Sequence, residues 1–191
     1  MSRSVLSMSM SLDGFITGPD DDVARGLGRG GERLHDWLGD GGPGGFEPPG
    51  RSREIYDEVM ATGAVLVGRR TFDHAGRWNG DHHGVPIFVP TRGEPPAPAS
   101  ELVHYVTDGI ESAMRQAKQA AGDADVLVHG AETAQSCLRA GVLDELEIHL
   151  IPVLLGAGRP LFGDLPEHVE LELTRVVEAP GVTHLRFRVQ A

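Results

Sequence analysis

The sequence predicts an α/β fold in which a single mixed, mostly parallel sheet has antiparallel strands at its C-terminal end and helices on its faces. Two apolar runs without alternation, Ala64–Val67 and Val126–His129, are typical of parallel strands buried on both sides. Each run is followed by a glycine and a helical pattern, as in β–α–β units. Near the end of the chain, residues 170–178 and 183–190 alternate apolar and polar side chains around Pro180-Gly181, which predicts an antiparallel hairpin.

The other elements of the first half are predicted from local patterns. Residues 5–10 predict a first strand. The glycine-rich stretch 18–50 predicts a long loop, which in most proteins is functional or mobile, and a short helix around Glu32–Leu38 is expected to interrupt it. Ser52 is a good N-cap for a helix over Arg53–Thr62.

In the second half, strands and helices alternate up to Asp144, and only strands are predicted beyond it. The predicted strands cover residues 85–90, 102–106 and 146–155, and the predicted helices cover residues 110–121 and 132–140. No internal repeat or linker composition interrupts the chain, so residues 1–191 are expected to form one domain. A chain of 191 residues is long enough for one full-sized buried core.

The composition argues against several classes of function. The net charge is −11 and the isoelectric point is about 5.2, so an acidic surface repels nucleic acid, which is not an expected partner. No apolar run reaches the roughly 18 residues of a membrane span, and the N-terminus has no signal-like core, so a cytoplasmic protein without a membrane partner is expected. The single cysteine, Cys137, forms neither an internal disulfide nor a cysteine-rich zinc site, and we expect it to be buried.

Candidate ligand-binding residues follow three of the predicted strands. They are Gly68, Arg69, Arg70 and Thr71, then Thr91 and Arg92, and finally Gly130, Ala131, Glu132 and Thr133. Backbone N–H groups at a helix N-terminus attract anions, and arginines add charge-assisted hydrogen bonds. A glycine or arginine at one strand end is more often a plain turn. Three such loops at one edge of a sheet favour a dinucleotide.

Several stretches of sequence carry a family resemblance. They are Ser11–Gly14, Val65–Phe72, Val126–Ala131, Gly141–Leu146 and Ile151–Phe162. On these stretches the chain resembles the RibD C-terminal reductase family, which shares the dihydrofolate reductase fold and uses NADPH. The resemblance covers nearly the whole chain, and the last stretch is the most specific part of it.

The resemblance implies a role for each group of residues. Residues 68–71 match the family's first phosphate-side loop, Thr91 and Arg92 fall where the family contacts the adenosine 2′-phosphate, and residues 130–133 match its pyrophosphate loop. The substrate side is expected to include Asp13, Phe15, Gly156, Gly158 and Pro160. Asp13 is the candidate catalytic residue, which would orient the substrate or relay a proton, although an Asp-Gly turn explains it without catalysis.

The implied function is an NADPH-dependent reductase that passes a hydride to a small heterocyclic or ribosylamine-type substrate, similar to the 5-amino-6-(5-phosphoribosylamino)uracil reductase of riboflavin biosynthesis. The alternative is a non-catalytic NADPH-binding or sensor protein with the same fold. The resemblance also implies a homodimer formed through the C-terminal strands. True dihydrofolate reductases bind the pterin ring with a carboxylate on the first long helix, whereas Ser52 lies near that place here, so folate is less expected.

Other motifs are assigned no chemistry. Gly26, Gly28, Gly30 and Gly31 do not follow a predicted strand, so they lack the context of a nucleotide-binding glycine loop. Asp73-His74 and Asp81–His83 have irregular spacing, and no metal is expected there. The zinc deaminase domain of bifunctional riboflavin enzymes is not expected, because its signature needs a Pro-Cys-x-x-Cys motif. Trp78 is either a core residue or a lid over the cofactor.

Overall fold

The computed structural model describes residues 2–39, 41, 45–163, 165 and 168–190, and it confirms the predicted α/β architecture. The strands are β1 (Ser4–Ser11), β2 (Phe15–Thr17), β3 (Ala64–Val67), β4 (Ile87–Pro90), β5 (Val103–Val106), β6 (Val126–His129), β7 (Glu145–Ile151), β8 (Arg159–Pro160), β9 (Leu171–Ala179) and β10 (Val182–Val189). The α-helices are α1 (Arg51–Met60), α2 (Arg69–His74), α3 (Ile110–Ala121) and α4 (Ala131–Arg139), and 3₁₀ segments cover Gly31–Leu38 and Gly76–Gly80.

Eight of the strands form one sheet in the order β5-β4-β3-β6-β1-β7-β10-β9. Neighbours from β5 to β7 pair in parallel, whereas β10 is antiparallel to both β7 and β9. The predicted change from β–α–β units to an antiparallel hairpin is therefore confirmed. β2 and β8 pair separately in a short antiparallel ribbon, which the sequence pattern did not predict because both strands are too short to show a period.

The main core lies between the sheet and helices α3 and α4. Leu6, Val128 and Ile148 from the central strands pack there with Met114 and Cys137 from the two helices, and all are almost fully buried. Cys137 is 0% exposed, as predicted, and burial raises the pKa of its thiol to about 12. Among the residues that the structure describes, no helix combines the length and apolar character that crossing a bilayer requires.

The predicted start of α1 and the predicted end of β7 are both corrected by the structure. Helix α1 begins at Arg51, so Ser52 lies within its first turn and its hydroxyl contacts the ring of His184 at 3.0 Å instead of capping the helix. The strand predicted over residues 146–155 ends at Ile151, because Pro152 has no N–H to offer to a neighbouring strand.

The opposite face of β7 and β10 carries a buried network of charges under α1. Arg186 contacts Glu145 at 2.6 Å, Glu58 at 3.1 Å and Glu147 at 3.5 Å. Arg175 contacts Glu58 at 2.6 Å and Glu147 at 3.0 Å. Burial raises the pKa of Glu147, whereas the hydrogen bond from Arg175 lowers the pKa of Glu58. These groups line a cavity of about 550 Å³, but because their charges pair with one another we assign it a structural role.

Candidate active site

The three loops predicted to hold a dinucleotide lie at one edge of the sheet. β4, β3 and β6 are adjacent and parallel, so their carboxyl ends meet at the same edge. Residues 68–71 follow β3, Thr91 and Arg92 follow β4, and residues 130–133 follow β6. The structure therefore gathers the predicted cofactor-binding residues where open α/β sheets bind ligands.

The first and third of these loops interlock through their glycines. A Cβ atom at Gly68 would lie 2.6 Å from Oγ1 of Thr133, and one at Gly130 would lie 2.5 Å from Oγ1 of Thr71. Gly130 also has a φ of 94°, which side chains rarely adopt. Each threonine thus occupies the space that the opposite glycine leaves free. The space beside the missing side chain of Gly130 therefore holds Thr71 and does not provide room for a pyrophosphate.

The arginines at this edge differ in how far they are already paired. Arg69 contacts Asp73 at 2.7 Å, and its guanidinium lies 5.6 Å from the centre of the Tyr105 ring. Arg70 contacts the Asp21 carboxylate at 3.0 Å. Arg92 is exposed, and its side chain makes no hydrogen bond or ion pair within the described part of the chain. Arg92 is therefore the arginine of this edge that is free to meet an anionic ligand.

A cavity of about 480 Å³ opens beside these loops. Arg70 and Thr71 of the first dinucleotide loop contribute to its wall, together with His129 at the end of β6. The rest is largely apolar and aromatic, and includes Met8, Ile16, Leu27, Trp37, Tyr56, Met60 and Trp78. The cavity thus adjoins the first dinucleotide loop, with polar groups on that side and largely apolar walls beyond.

The glycine-rich insertion lies over this cavity. Asp21, Gly26 and Leu27 line the cavity from its first part, and His35 and Trp37 line it from the 3₁₀ segment. Gly26 and its neighbours thus take part in the site, although they do not form a nucleotide loop after a strand. The stretch 18–50 therefore forms part of the cavity wall and contacts the first dinucleotide loop through Asp21 and Arg70. Residues 40 and 42–44 lie outside the described residues.

Trp78 lies between the core and the cavity, and a role as a lid over the cofactor stays a prediction. Its ring packs against Phe72 at 5.8 Å in the core and also lines the cavity beside His82, at 4.6 Å. Arg77, Trp78 and Asn79 all have positive φ values of 56°, 46° and 53°. Backbone in this region is costly for residues other than glycine and is concentrated at functional sites.

Histidines are the site residues that sequence reasoning missed. His82, His129 and His149 line the cavity together with His35 and His74. Burial lowers the pKa of His82 to about 3 and of His129 to about 4, and it lowers the pKa values of His35 and His149 as well. These four rings are therefore neutral at pH 7. Within the described ranges, no group of three or more histidine, cysteine or acidic side chains is arranged to hold a metal ion.

Asp13 holds two loops together through its carboxylate. It accepts hydrogen bonds from the backbone N–H groups of Leu155 (3.1 Å) and Gly156 (2.7 Å), and from the Ser11 hydroxyl (2.5 Å). These bonds, with that of Ser11 first, lower the pKa of Asp13. The aspartate thereby ties the turn after β1 to the loop after β7, and it is not among the residues that line the cavity. Its catalytic role stays a prediction, and the geometry favours the turn explanation.

Of the other predicted substrate residues, Phe15 and Pro160 lie in the β2–β8 ribbon and Gly158 directly precedes β8, each next to a residue that lines the cavity. Gly156 lies in the loop after β7, where its N–H binds Asp13. Phe15 pairs with Pro160, and the backbone of Gly158 packs closely on the carbonyl of Thr17. Their neighbours Ile16 and Arg159 are the ribbon residues that line the cavity with Thr17. Side chains alternate between the two faces of a strand, so the predicted residues lie beside the cavity without lining it, and their role in binding substrate stays a prediction.

The fold is of the dihydrofolate reductase-like class, with a cleft at the carboxyl edge of its sheet. The chain belongs to the family described as the RibD C-terminal domain, whose model matches residues 4–185.

Similar proteins agree with this assignment. The uncharacterized protein YwjB of Bacillus subtilis is 28% identical over 173 residues, which cover 90% of this chain and 88% of that protein. A putative riboflavin biosynthesis protein from Shewanella sp. PV-4 has a TM-score of 0.74 at 21% identity, with 99% of both chains covered. Dihydrofolate reductase from Enterococcus faecalis, complexed with NADP(H), has a TM-score of 0.60 at 12% identity, covering 99% of this chain and 97% of that one. At these identities, the solved structures establish the shared fold.

Proposed function

We propose that this chain is an NADPH-dependent reductase of a small heterocyclic or ribosylamine-type substrate. The observation that supports it most is the wall of the cavity, to which Arg70 and Thr71 contribute from the first predicted dinucleotide loop and His129 from the end of β6. A nicotinamide held by those loops would face an apolar space of about 480 Å³, large enough for a small acceptor. The Enterococcus faecalis relative of the same fold is complexed with NADP(H).

The residues at the edge fit such a cofactor. Neither α2 nor α4 has a side-chain cap, so the backbone N–H groups at the start of both helices are available to phosphate oxygens. Arg92 supplies an unpaired charge for the 2′-phosphate, and Arg69 and Arg70 add charge where their carboxylate partners leave donors free. Bound NADPH supplies the hydride. The protein holds the acceptor near it and excludes water.

The cavity favours an acceptor without a net positive charge. Asp21 is the carboxylate among the lining residues, and it is paired with Arg70 at 3.0 Å. The buried histidines are neutral, Arg159 adds a second positive charge beside Arg70, and the other walls are apolar or aromatic apart from a few hydroxyl side chains such as Ser7. A planar ring with a C=N or C=O bond fits these walls, as in the reductase of riboflavin biosynthesis that the sequence resembles. No side chain has to act as a nucleophile in such a hydride transfer.

Turnover on a panel of acceptors tests the proposal. NADPH oxidation is followed spectroscopically with pterins, quinones and pyrimidine ribosylamines, and NADPH binding is measured in parallel by fluorescence. Oxidation with at least one class supports a reductase and identifies its substrate class. Tight binding of NADPH without oxidation on any member would instead support the alternative, a non-catalytic NADPH-binding or sensor protein.

We expect the protein to bind NADPH more tightly than NADH, and Arg92→Ala to remove most of the difference. A hydrogen bond to a charged group contributes about 1.5–3 kcal/mol, which corresponds to roughly tenfold or more in affinity. Fluorescence titration of both cofactors measures the change. Arg53→Ala is the matched control, because Arg53 is a half-exposed arginine that pairs with Asp57 on α1. Equal affinities of the wild type for the two cofactors would exclude the assigned role of Arg92.

We also propose that the protein forms a homodimer through β9. Leu171, Leu173 and Val176 on this edge strand are 40%, 53% and 47% exposed, and apolar surface of this kind favours association. Light scattering is expected to give twice the chain mass of 20.4 kDa, and Leu173→Glu is expected to give monomers. Leu154→Glu, at a loop leucine that is 69% exposed, is the control. A wild-type monomer at micromolar concentration would contradict the proposal.

A further inference from the structure

Four buried side chains form a hydrogen-bonded chain that ends at the wall of the cavity. The Ser7 hydroxyl lies 3.0 Å from Nε2 of His149, and Nδ1 of His149 lies 2.8 Å from Nδ1 of His184. Nε2 of His184 lies 3.0 Å from the hydroxyl of Ser52 on α1. Ser7 and His149 line the cavity, whereas His184 and Ser52 lie behind them. The chain therefore links the active-site cavity to the interior of the protein.

The surroundings keep both rings fixed and uncharged. The indole of Trp37 packs on them with ring centres 4.5 Å from His149 and 4.9 Å from His184. Burial lowers the pKa of His184 to about 4 and lowers the pKa of His149 well below its ordinary value. The charged or titratable groups that face the pair, His129 and His35 around His149 and Arg175 beside both rings, lower these pKa values further.

A chain of neutral rings between two hydroxyls has two consistent directions. A neutral imidazole has one N–H and one bare nitrogen, so one ring must donate across the Nδ1–Nδ1 contact and the other must accept. If His184 donates, Nε2 of His149 carries a proton and donates to Ser7, whose own proton is then free for the cavity. If His149 donates, its bare Nε2 accepts the Ser7 proton, and Ser7 offers only lone pairs. Ser52 completes either direction, because a hydroxyl donates or accepts.

We propose that Ser7 recognises the reducible C=N or C=O group of the acceptor, and that His149 and His184 are positioning residues that let Ser7 present either a donor or an acceptor to it. This inference rests on the proposed reductase function. Reduction adds a hydride from NADPH to the carbon and a proton from solvent water to the heteroatom. The heteroatom thereby changes from a hydrogen-bond acceptor to an N–H or O–H donor. A reversible chain pairs with the acceptor before reduction and with the product after it.

Kinetics of three variants test the positioning role. Ser7→Ala is expected to raise KM for the acceptor about tenfold, the effect of one lost hydrogen bond, with NADPH affinity within about twofold of wild type. His184→Leu keeps the bulk but leaves Nδ1 of His149 unpaired, and should reproduce the rise in KM. His184→Asn should restore KM, because its amide offers either an N–H or an oxygen to His149. A KM unchanged in His184→Leu, or a loss of NADPH affinity as large as the rise in KM, would overturn the proposal.

Nitrogen NMR of the histidine rings tests the chain without any turnover. Both rings of the wild type are expected to show shifts between those of a protonated and a bare nitrogen, because the two directions exchange. A single fixed tautomer for both rings, unaltered in Ser7→Ala, would overturn the reversible chain even in an active reductase. Averaged shifts in a protein that fails to oxidise NADPH with every acceptor would confirm the chain and refute the proposed reductase. The two failures are therefore distinguishable.

Discussion

Arg186→Met is expected to lower the free energy of unfolding by about 3 kcal/mol or more. The Arg186 side chain is 15% exposed and contacts Glu145, Glu58 and Glu147, and the Glu147 side chain is only 3% exposed. Removal of the guanidinium leaves Glu58 and Glu147 with Arg175 as their remaining partner, and Glu145 with the half-exposed Arg3 at 3.1 Å. The cost arises mainly from burying carboxylate charge without compensation. Urea denaturation, with the change read from the midpoint at constant slope, measures it.

The same variant is expected to be more sensitive to pH than the wild type. Burial already raises the pKa of Glu147 above its ordinary value of 4.5, and loss of Arg186 raises it further. A raised carboxyl pKa means that the native state binds more protons than the unfolded state, so stability falls as pH rises through the window above 4.5. The lowered pKa of Glu58 contributes stability above its unfolded value, and the variant loses part of that too. The loss in free energy of unfolding of Arg186→Met relative to the wild type should therefore be larger at pH 8 than at pH 4.5.

Arg188→Met is the matched control for both measurements. Arg188 lies two residues further along β10, but its side chain is 56% exposed and pairs with Glu172 at 2.9 Å on the surface. Exposed ion pairs contribute about 0–1 kcal/mol, so this variant should remain close to the wild type at every pH. Equal losses in the two variants would show that the buried network contributes no more than a surface pair.

Gly130→Val is expected to lower the melting temperature by about 10 °C and to weaken NADPH binding at the same time. The left-handed backbone of Gly130 costs an L-residue about 1–2 kcal/mol, and overlap with another side chain adds about 1–3 kcal/mol. A Cβ atom at this position would lie 2.5 Å from Oγ1 of Thr71. For a domain of this size, each kcal/mol shifts the melting temperature by about 2–4 °C. Calorimetry and fluorescence titration measure the two effects.

A double-mutant cycle separates backbone strain from the overlap with Thr71. Gly130→Ala should cost clearly more in the wild type than in a Thr71→Ala background, with a coupling of about 1 kcal/mol or more. Gly122→Ala measures the cost of backbone strain alone, because Gly122 has a φ of 63° and nothing lies within 4 Å of its missing Cβ. If Gly130→Ala costs no more than Gly122→Ala, Thr71 does not fill the space beside Gly130.

The sequence was most informative where local pattern and topology coincide. Unalternated runs such as Ala64–Val67 occur in parallel strands, and parallel strands bring their following loops to one edge. The dinucleotide loops could therefore be placed together without knowledge of the strand order. The Thr71–Gly130 contact could not be predicted, because it depends on how two helices approach each other to within a fraction of an ångström.

The walls of the cavity were less predictable, because they come from distant parts of the chain. His149 and His184 lie side by side only because β10 pairs with β7 in one particular register. In the sequence each is a polar residue in an alternating strand, which resembles an ordinary solvent-facing position. Asp13 is a catalytic candidate in the sequence through the family resemblance. Its partners, the backbone N–H groups of Leu155 and Gly156, could not be predicted because every residue except proline carries such a group.

Because Cys137 is buried, its reaction with a thiol reagent measures how often the core opens. It is the single cysteine in the chain, and its thiol is enclosed between the sheet and α4. A thiol reagent can reach it only when the core around α4 separates from the sheet. Under native conditions, the labelling rate therefore measures how often this opening occurs. Comparison of that rate among variants ranks their stability without denaturant and at the protein concentrations used for kinetics. The sulfur atom that is labelled takes no part in the proposed chemistry.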